Sequence, residues 1–227
     1  LEDGSTNPLS RGFLLSNATV GLIKQGDTYA VVATGQVEVI GISNLSLSGL
    51  FTVRVNQFGD AIDQILPVTG TSETVVLDFS ATETVSGTDE AFYEITADDL
   101  TIEASEQNIM ADLALRRVTL NRDGTIENAF YFGLSDLSAV FSDGTNDIVS
   151  LTNASGDLLV FSDGIAAKFD GQLDVNVTDV KATGTYSLLL NTTGTAIDQS
   201  FIVGENPQLL QVEAGPFIRI VGNGVDL

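Results

Sequence analysis

The sequence predicts an all-β fold, an elongated, mostly antiparallel sheet or sandwich built from an internal repeat of about 136 residues, and three observations carry that expectation. The first is the repeat. Residues 15–36 laid on 151–172 give eight identities in 22, and residues 49–64 laid on 184–199 give seven in 16; average residue usage would give roughly two or three in all. The second is the punctuation. Apolar runs follow one another at about ten-residue spacing, separated by Gln25-Gly26-Asp27, Gly41, Gly59-Asp60, Thr69-Gly70, Asp123-Gly124, Asp143-Gly144 and Asp163-Gly164, as in chains of hairpins and meanders. The third is alternation. Leu45, Leu47, Gly49, Phe51, Val53 and Val55 fall on one face of an extended chain and Ser46, Ser48, Thr52, Arg54 and Asn56 on the other, which reads as a core side and a solvent side.

Taken in order, the polar stretch 1–14, with Asp3-Gly4 and Asn7-Pro8, reads as an extended arm. Residues 15–150 form a first repeat module and residues 151–227 a second, incomplete one. In the second copy Ala182, Gly184, Tyr186, Leu188 and Leu190 keep the parity of the first, and Gly184 falls where Gly49 did, which suggests a bend or a close backbone approach at both places. The spacing of the copies differs by one residue, which a turn or a bulge absorbs. Residues 103–118 have helical composition, with Ile109 and Leu113 four apart. Yet Ile109, Ala111, Leu113 and Leu115 alternate, and Val118 and Leu120 continue in shifted parity, so a strand with a bulge near Arg116 and Arg117 is expected. Thr125 to Leu134 follows a tight turn and reads as the returning arm of a hairpin. The segment from Gly215 to Leu227 echoes residues 91–100.

Composition narrows the chemistry. Of 227 residues 43% are hydrophobic, which provides for a real core. Cys and His are both absent, so disulfides, thiolate nucleophiles, imidazole bases and the common zinc and copper sites are excluded. The lack of Cys fits an extracellular or cell-surface bacterial protein. A net charge of −22 repels phosphate backbones and anionic headgroups, so neither a nucleic-acid partner nor membrane insertion is expected. No apolar run reaches the ~18 residues of a membrane helix. The chain starts with Leu and shows no export signal, as a mature product or a piece of a longer chain would.

No catalytic, cofactor-binding or metal-ligating residue stands out. Asp63 and Asp198 recur in the AIDQ of both copies, where a turn-capping role is simpler than an acid-base pair. Asp143 to Asp147 offers oxygens to a weakly held calcium ion but reads more simply as a hairpin turn. Asn17, Asn44, Asn153, Asn176 and Asn191 open glycosylation sequons. Arg116, Arg117 and Arg122 form the nearest thing to a basic cluster, fit for ion pairs with the acidic surface.

The pattern GQxxV…(S/T)G(L/T)(F/Y)(T/S)…N…GxAIDQ, carried by residues 35–64 and 171–199, resembles the long-period β-rich repeats of very large secreted or surface proteins of bacteria. The resemblance implies a non-enzymatic structural role in a stalk, adhesin, sheath or surface layer. The expected partners are identical chains, joined head to tail when the first strand, Gly12 to Asn17, adds beside Phe217 to Val221 of a neighbour. A module binding carbohydrate or an apolar ligand is the alternative, because an apolar sheet face can line a groove.

Overall fold

A computed structural model of the chain describes residues 12–40, 45–84, 91–104, 107–122, 124–142, 144–177, 180–203 and 206–226. It is all-β. In chain order the strands are β1 (Gly12–Gln25), β2 (Thr28–Ile40), β3 (Leu45–Asn56), β4 (Ile62–Pro67), β5 (Thr74–Phe79), β6 (Phe92–Ala104) and β7 (Gln107–Arg122), then β8 (Thr125–Ser142), β9 (Asp147–Val160), β10 (Ile165–Val177), β11 (Val180–Asn191), β12 (Ile197–Val203), β13 (Asn206–Val212) and β14 (Phe217–Asp226). Ten of them make one antiparallel sheet in the order β1-β2-β3-β6-β7-β8-β9-β10-β11-β14, while β4-β5 and β12-β13 are two-stranded hairpins of their own. Nearly every strand thus pairs with its sequence neighbour, as short turns between alternating runs dictate.

The hairpins lie on one face of the sheet. Hairpin β4-β5 leaves the end of β3 and folds back over β1 and β2, packing Val75, Leu77 and Phe79 on Ala30, Val32 and Phe92. Gly21 lies beneath it because a Cβ there would stand 2.6 Å from Leu77. Hairpin β12-β13 leaves β11 and reaches back as far as β7, burying Ile197, Phe201, Val203, Leu210 and Val212 against Ala114, Tyr131, Leu159 and Ala166. The two clusters are the described core. Each large apolar side chain fully buried there contributes about 1.5–3 kcal/mol.

Three meander strands, a hairpin lifted off the sheet and a fourth sheet strand thus occur in β1–β6 and again in β9–β14, with β7 and β8 between them. Phe92 pairs with Asn56 as Phe217 pairs with Asn191, so the two segments that echo each other hold the same place beside β3 and β11. Strand β9 runs through position 151, and the sheet is continuous there. Of the expected arm, residues 1–11 lie outside the described residues and Gly12 already belongs to β1.

A line of register irregularities crosses the sheet. It passes through Asn17 in β1, Asp99 in β6, Asp136 in β8 and Asn153 in β9, all with φ near +50°, and through Gly224 in β14 with φ +62°. The pairings slip at these places. Gly49 and Gly184 sit where β3 and β11 pass the bulges of β6 and β14, and a Cβ would stand 3.2 Å from the Leu100 Cα and 3.1 Å from the Val225 Cα. That is the close backbone approach the shared glycine suggests. The bulge expected at Arg116 and Arg117 is absent: β7 pairs with β8 without a slip from Asp112 to Arg122. The apparent change of parity has another cause, since Val118 and Leu120 pack against the cluster beneath β12-β13 whereas Leu113 and Leu115 face the opposite side.

Candidate functional site

Two features of the sheet are chemically distinct. One is a row of ionic and polar groups under the hairpins. The other is the opposite face, with the two strand edges that bound it.

Under the hairpins the register brings Arg54 of β3, Glu94 of β6, Arg116 of β7 and Tyr131 of β8 side by side. Glu94 is buried and accepts from both arginines, at 2.6 Å from Arg54 Nη1 and 3.4 Å from Arg116 Nη1. Each arginine also reaches one hairpin. Arg54 Nη2 donates to the Asp78 carbonyl of β5 at 2.6 Å and Arg116 Nη2 to the Ile202 carbonyl of β12 at 2.8 Å. The guanidiniums lie over Phe79 at 4.8 Å and over Tyr131 at 5.1 Å. Burial lowers the readiness of Arg54 to stay charged, but the hydrogen bonds it donates to Glu83 and Glu94 outweigh it and its pKa is raised. Burial likewise pushes the Glu83 carboxyl up, and bonds from Arg54 and the Ser80 N–H bring it below the ordinary glutamate value. With both oxygens of Glu94 held by cations, the carboxylate is a structural acceptor.

Farther along, the Tyr131 hydroxyl donates to Asp157 Oδ1 at 2.6 Å, and both residues are buried. Burial raises the Asp157 pKa; Tyr131 and Lys168 offset that only in part. Burial and the same carboxylate drive the Tyr131 phenol upward. A cleft of about 670 Å³ opens between the hairpins, lined by Glu83, Phe92, Arg116, Phe201 and Ile202 among others.

The opposite face is apolar from edge to edge. The registers carry Val20 and Leu22 of β1 across to Ala33 and Val31, Val53 and Val55, Ile95, Leu115, Phe132, Leu158, Ala167, Leu190 and Ile218. Among the described residues no element packs on this face, and Val20, Leu22, Phe130 and Ile218 are more than half exposed. This overturns the expected sidedness. The face of Phe51, Val53 and Val55 is uncovered, whereas Arg54 and Asn56, expected in solvent, lie under hairpin β4-β5, with Asn56 fully buried. The reason is that the hairpins, invisible to strand parity, settle on the polar side, where arginine and asparagine can bond their carbonyls.

The residues singled out in the sequence lie apart. Asp63 and Asp198 are exposed strand residues facing Asp78 and Gln211 across their hairpins, and neither caps a turn. Asp143 lies outside the described residues; beside it Gly144 has φ +90° and Ser142 Oγ donates to the Asn146 carbonyl at 3.0 Å, as in a tight turn. Among the described residues no three acidic side chains gather as a metal site would need. Asn17, Asn153 and Asn176 are exposed, Asn44 lies outside the described residues, and Asn191 is fully buried, its amide engaged, so it is not an acceptor in the folded chain. Arg116 and Arg122 make intramolecular ion pairs, Arg122 with Glu127 and Asp163. Sequence reading missed Glu94, the Tyr131–Asp157 pair and the buried asparagines. Only the asparagines left a signal: Asn56 and Asn191 are an identity within the repeat.

No family model, curated protein or solved structure matches the chain.

Proposed function

We propose that the protein is a non-enzymatic structural module that extends a β-sheet by strand addition between identical chains, in an extracellular or cell-surface fibre, sheath or layer. The observation that carries this reading is the pair of sheet edges that no other strand pairs with among the described residues. Strand β1, 14 residues, and β14, 10 residues, bound the sheet and contain no proline, and their charged residues are few: Lys24 on one, Arg219 and Asp226 on the other. Each also carries one bulge, at Asn17 and at Gly224, which leaves most of its length free of the devices that usually protect an edge. With ten antiparallel strands, β1 and β14 run in opposite directions. A β1 placed beside the β14 of a neighbour therefore continues the antiparallel order and keeps the apolar face on one side, and the contact repeats because it does not close. The absence of Cys and the strong acidity support an oxidising, aqueous setting.

Adjacent positions on an edge strand point their N–H groups alternately inward and outward. Of the variants Arg219→Pro and Ile220→Pro, one therefore removes only an outward N–H and leaves the β11-β14 ladder whole. Light scattering against concentration is expected to show growing wild-type mass and arrest at short species for that variant, with its far-ultraviolet dichroism unchanged. A wild-type chain that never exceeds a dimer, or two proline variants that both grow like wild type, overturns the reading. The uncovered face favours a second reading, a module that takes up an apolar ligand; it fails if the purified chain releases no lipid to organic solvent.

A further inference from the structure

We infer that the uncovered apolar face is covered by the same face of a second copy, two sheets packing front to front into a four-layer assembly with the hairpins outermost. This rests on the face alone and not on the open edges.

Size comes first. Nine spacings between ten strands at ~4.8 Å, along some nine residues at ~3.3 Å, make a face of roughly 1,300 Å², so a pair buries on the order of 2,600 Å² in all. That lies in the range of obligate homodimers, about 2,000–5,000 Å², and far above the few hundred Å² of apolar patch that a monomer ordinarily exposes.

Texture comes second. Neighbouring side chains lie over four of its glycines: Leu15 over Gly35, Leu151 over Gly171, Phe169 over Gly156, Tyr186 over Gly222. The result is a smooth surface. A recess in it, beside Leu137, Phe169, Tyr186 and Ile220, holds about 210 Å³, below the ~300 Å³ at which small-molecule pockets begin. A smooth, twisted sheet is what a second sheet packs on, at about 10 Å.

Charge comes third. In a chain of net charge −22 the cross-strand rows of this face carry two charged residues among the described ones, both basic: Lys24 at the β1 edge, and Arg117, whose Nη1 is turned toward the Ala91 carbonyl at 3.4 Å. Acidic side chains such as Glu83 and Glu94 lie on the hairpin side, so the excess negative charge of two copies does not meet across the interface. The sheet midpoint falls between β7 and β8, where Leu115 pairs with Phe132. A two-fold axis through that point sets Leu115 of each copy near Phe132 of the other.

The test uses the full chain carrying whichever of the two edge prolines halts growth, so that only the face is read. Sedimentation equilibrium at about 10 µM is expected to give a dimer, and Phe132→Glu, at a position already 38% exposed, a monomer with at least 100-fold weaker association. Leu115→Lys alone is expected to be monomeric too, and mixing it with Phe132→Glu to restore a heterodimer. A monomer for the edge-blocked parent overturns the inference, and so does a dimer indifferent to both substitutions. Stoichiometric lipid in an organic extract, or tight binding of a fluorescent polyene fatty acid that Phe132→Glu abolishes, assigns the face to acyl chains and overturns it as well. If instead the wild-type chain fails to grow while the dimer persists, the edge reading fails and this one stands.

Discussion

Replacing Asn191 by Ala tests whether the side-chain amides at the ends of β3 and β11 hold the hairpins in place. Asn191 is fully buried, and its amide is fully used. Its Oδ1 accepts from the Thr193 N–H and hydroxyl, both at 2.8 Å, and its Nδ2 donates to the carbonyls of Thr195 at 2.8 Å and Glu213 at 2.7 Å. These bonds join the exit of hairpin β12-β13 to its return. Alanine strips the partner from the buried Thr193 N–H and from the Glu213 carbonyl, while the Thr195 carbonyl keeps the Thr193 hydroxyl at 3.2 Å. At about 1–3 kcal/mol for each buried group left unpaired, and less for Glu213, whose residue is exposed, the expected loss is about 3 kcal/mol. For a chain of this length that is a fall in Tm of roughly 6–12 °C. Asn56 makes the matching bonds with fewer partners, accepting from the Phe58 N–H at 2.8 Å and donating to the Glu83 carbonyl at 2.9 Å, so Asn56→Ala should cost about 2 kcal/mol. Exposed Asn176 serves as the control, and Asn176→Ala should stay within about 0.5 kcal/mol. Urea denaturation followed by circular dichroism ranks the three. If Asn191→Ala costs under about 1 kcal/mol, or no more than Asn56→Ala, the tie is not what holds the hairpin.

Two further outcomes follow from the same face. Burial raises the Asp157 pKa above its ordinary value, so the folded chain binds that proton more readily than the unfolded one; its contribution is full at low pH and is lost as pH rises through the raised value. Asp157→Asn, which still accepts from Tyr131, should therefore be more stable than wild type at pH 7, with the gap closing on acidification; a constant gap from pH 7 to pH 3 in urea midpoints refutes this. Gly133 lies under the second hairpin, where a Cβ would overlap Tyr131 Oη and Val203 Cγ2. Gly133→Ala should cost about 1–3 kcal/mol and speed amide exchange in β12 and β13 while leaving β1 and β2 unchanged; equal exchange throughout argues that the hairpin is not what yields.

The strand content was legible because turns and alternation are local properties. Asp163-Gly164 and Gly26-Asp27 stand between strands as their chemistry requires, and Thr125 does open the returning arm after β7. Residues 107–118 are strand despite their helical composition, since a place in the sheet between β6 and β8 outweighs a few tenths of a kcal/mol of propensity per residue. Sidedness was not legible. Parity tells which side chains share a face but not which face a hairpin from elsewhere in the chain will cover, and in Arg54, Asn56 and Asn191 the covered face uses polar groups that bond hairpin and loop backbone. The ionic row escaped notice for a related reason: Glu94 lies 40 residues from Arg54 and 22 from Arg116, and only the register of β3, β6 and β7 brings the three together.

A long sheet whose strands touch only their neighbours is close to a one-dimensional array, in which the ends fray and opening spreads strand by strand. The Glu94 carboxylate works against that. Because the arginine on each side of it also holds a hairpin, releasing one hairpin disturbs the charge balance that seats the other, and hairpin β12-β13 clasps five strands from β11 back to β7. The ends of the sheet can therefore open while its middle cannot open in part. Strain arriving at either edge of the sheet would meet a central block that yields all at once.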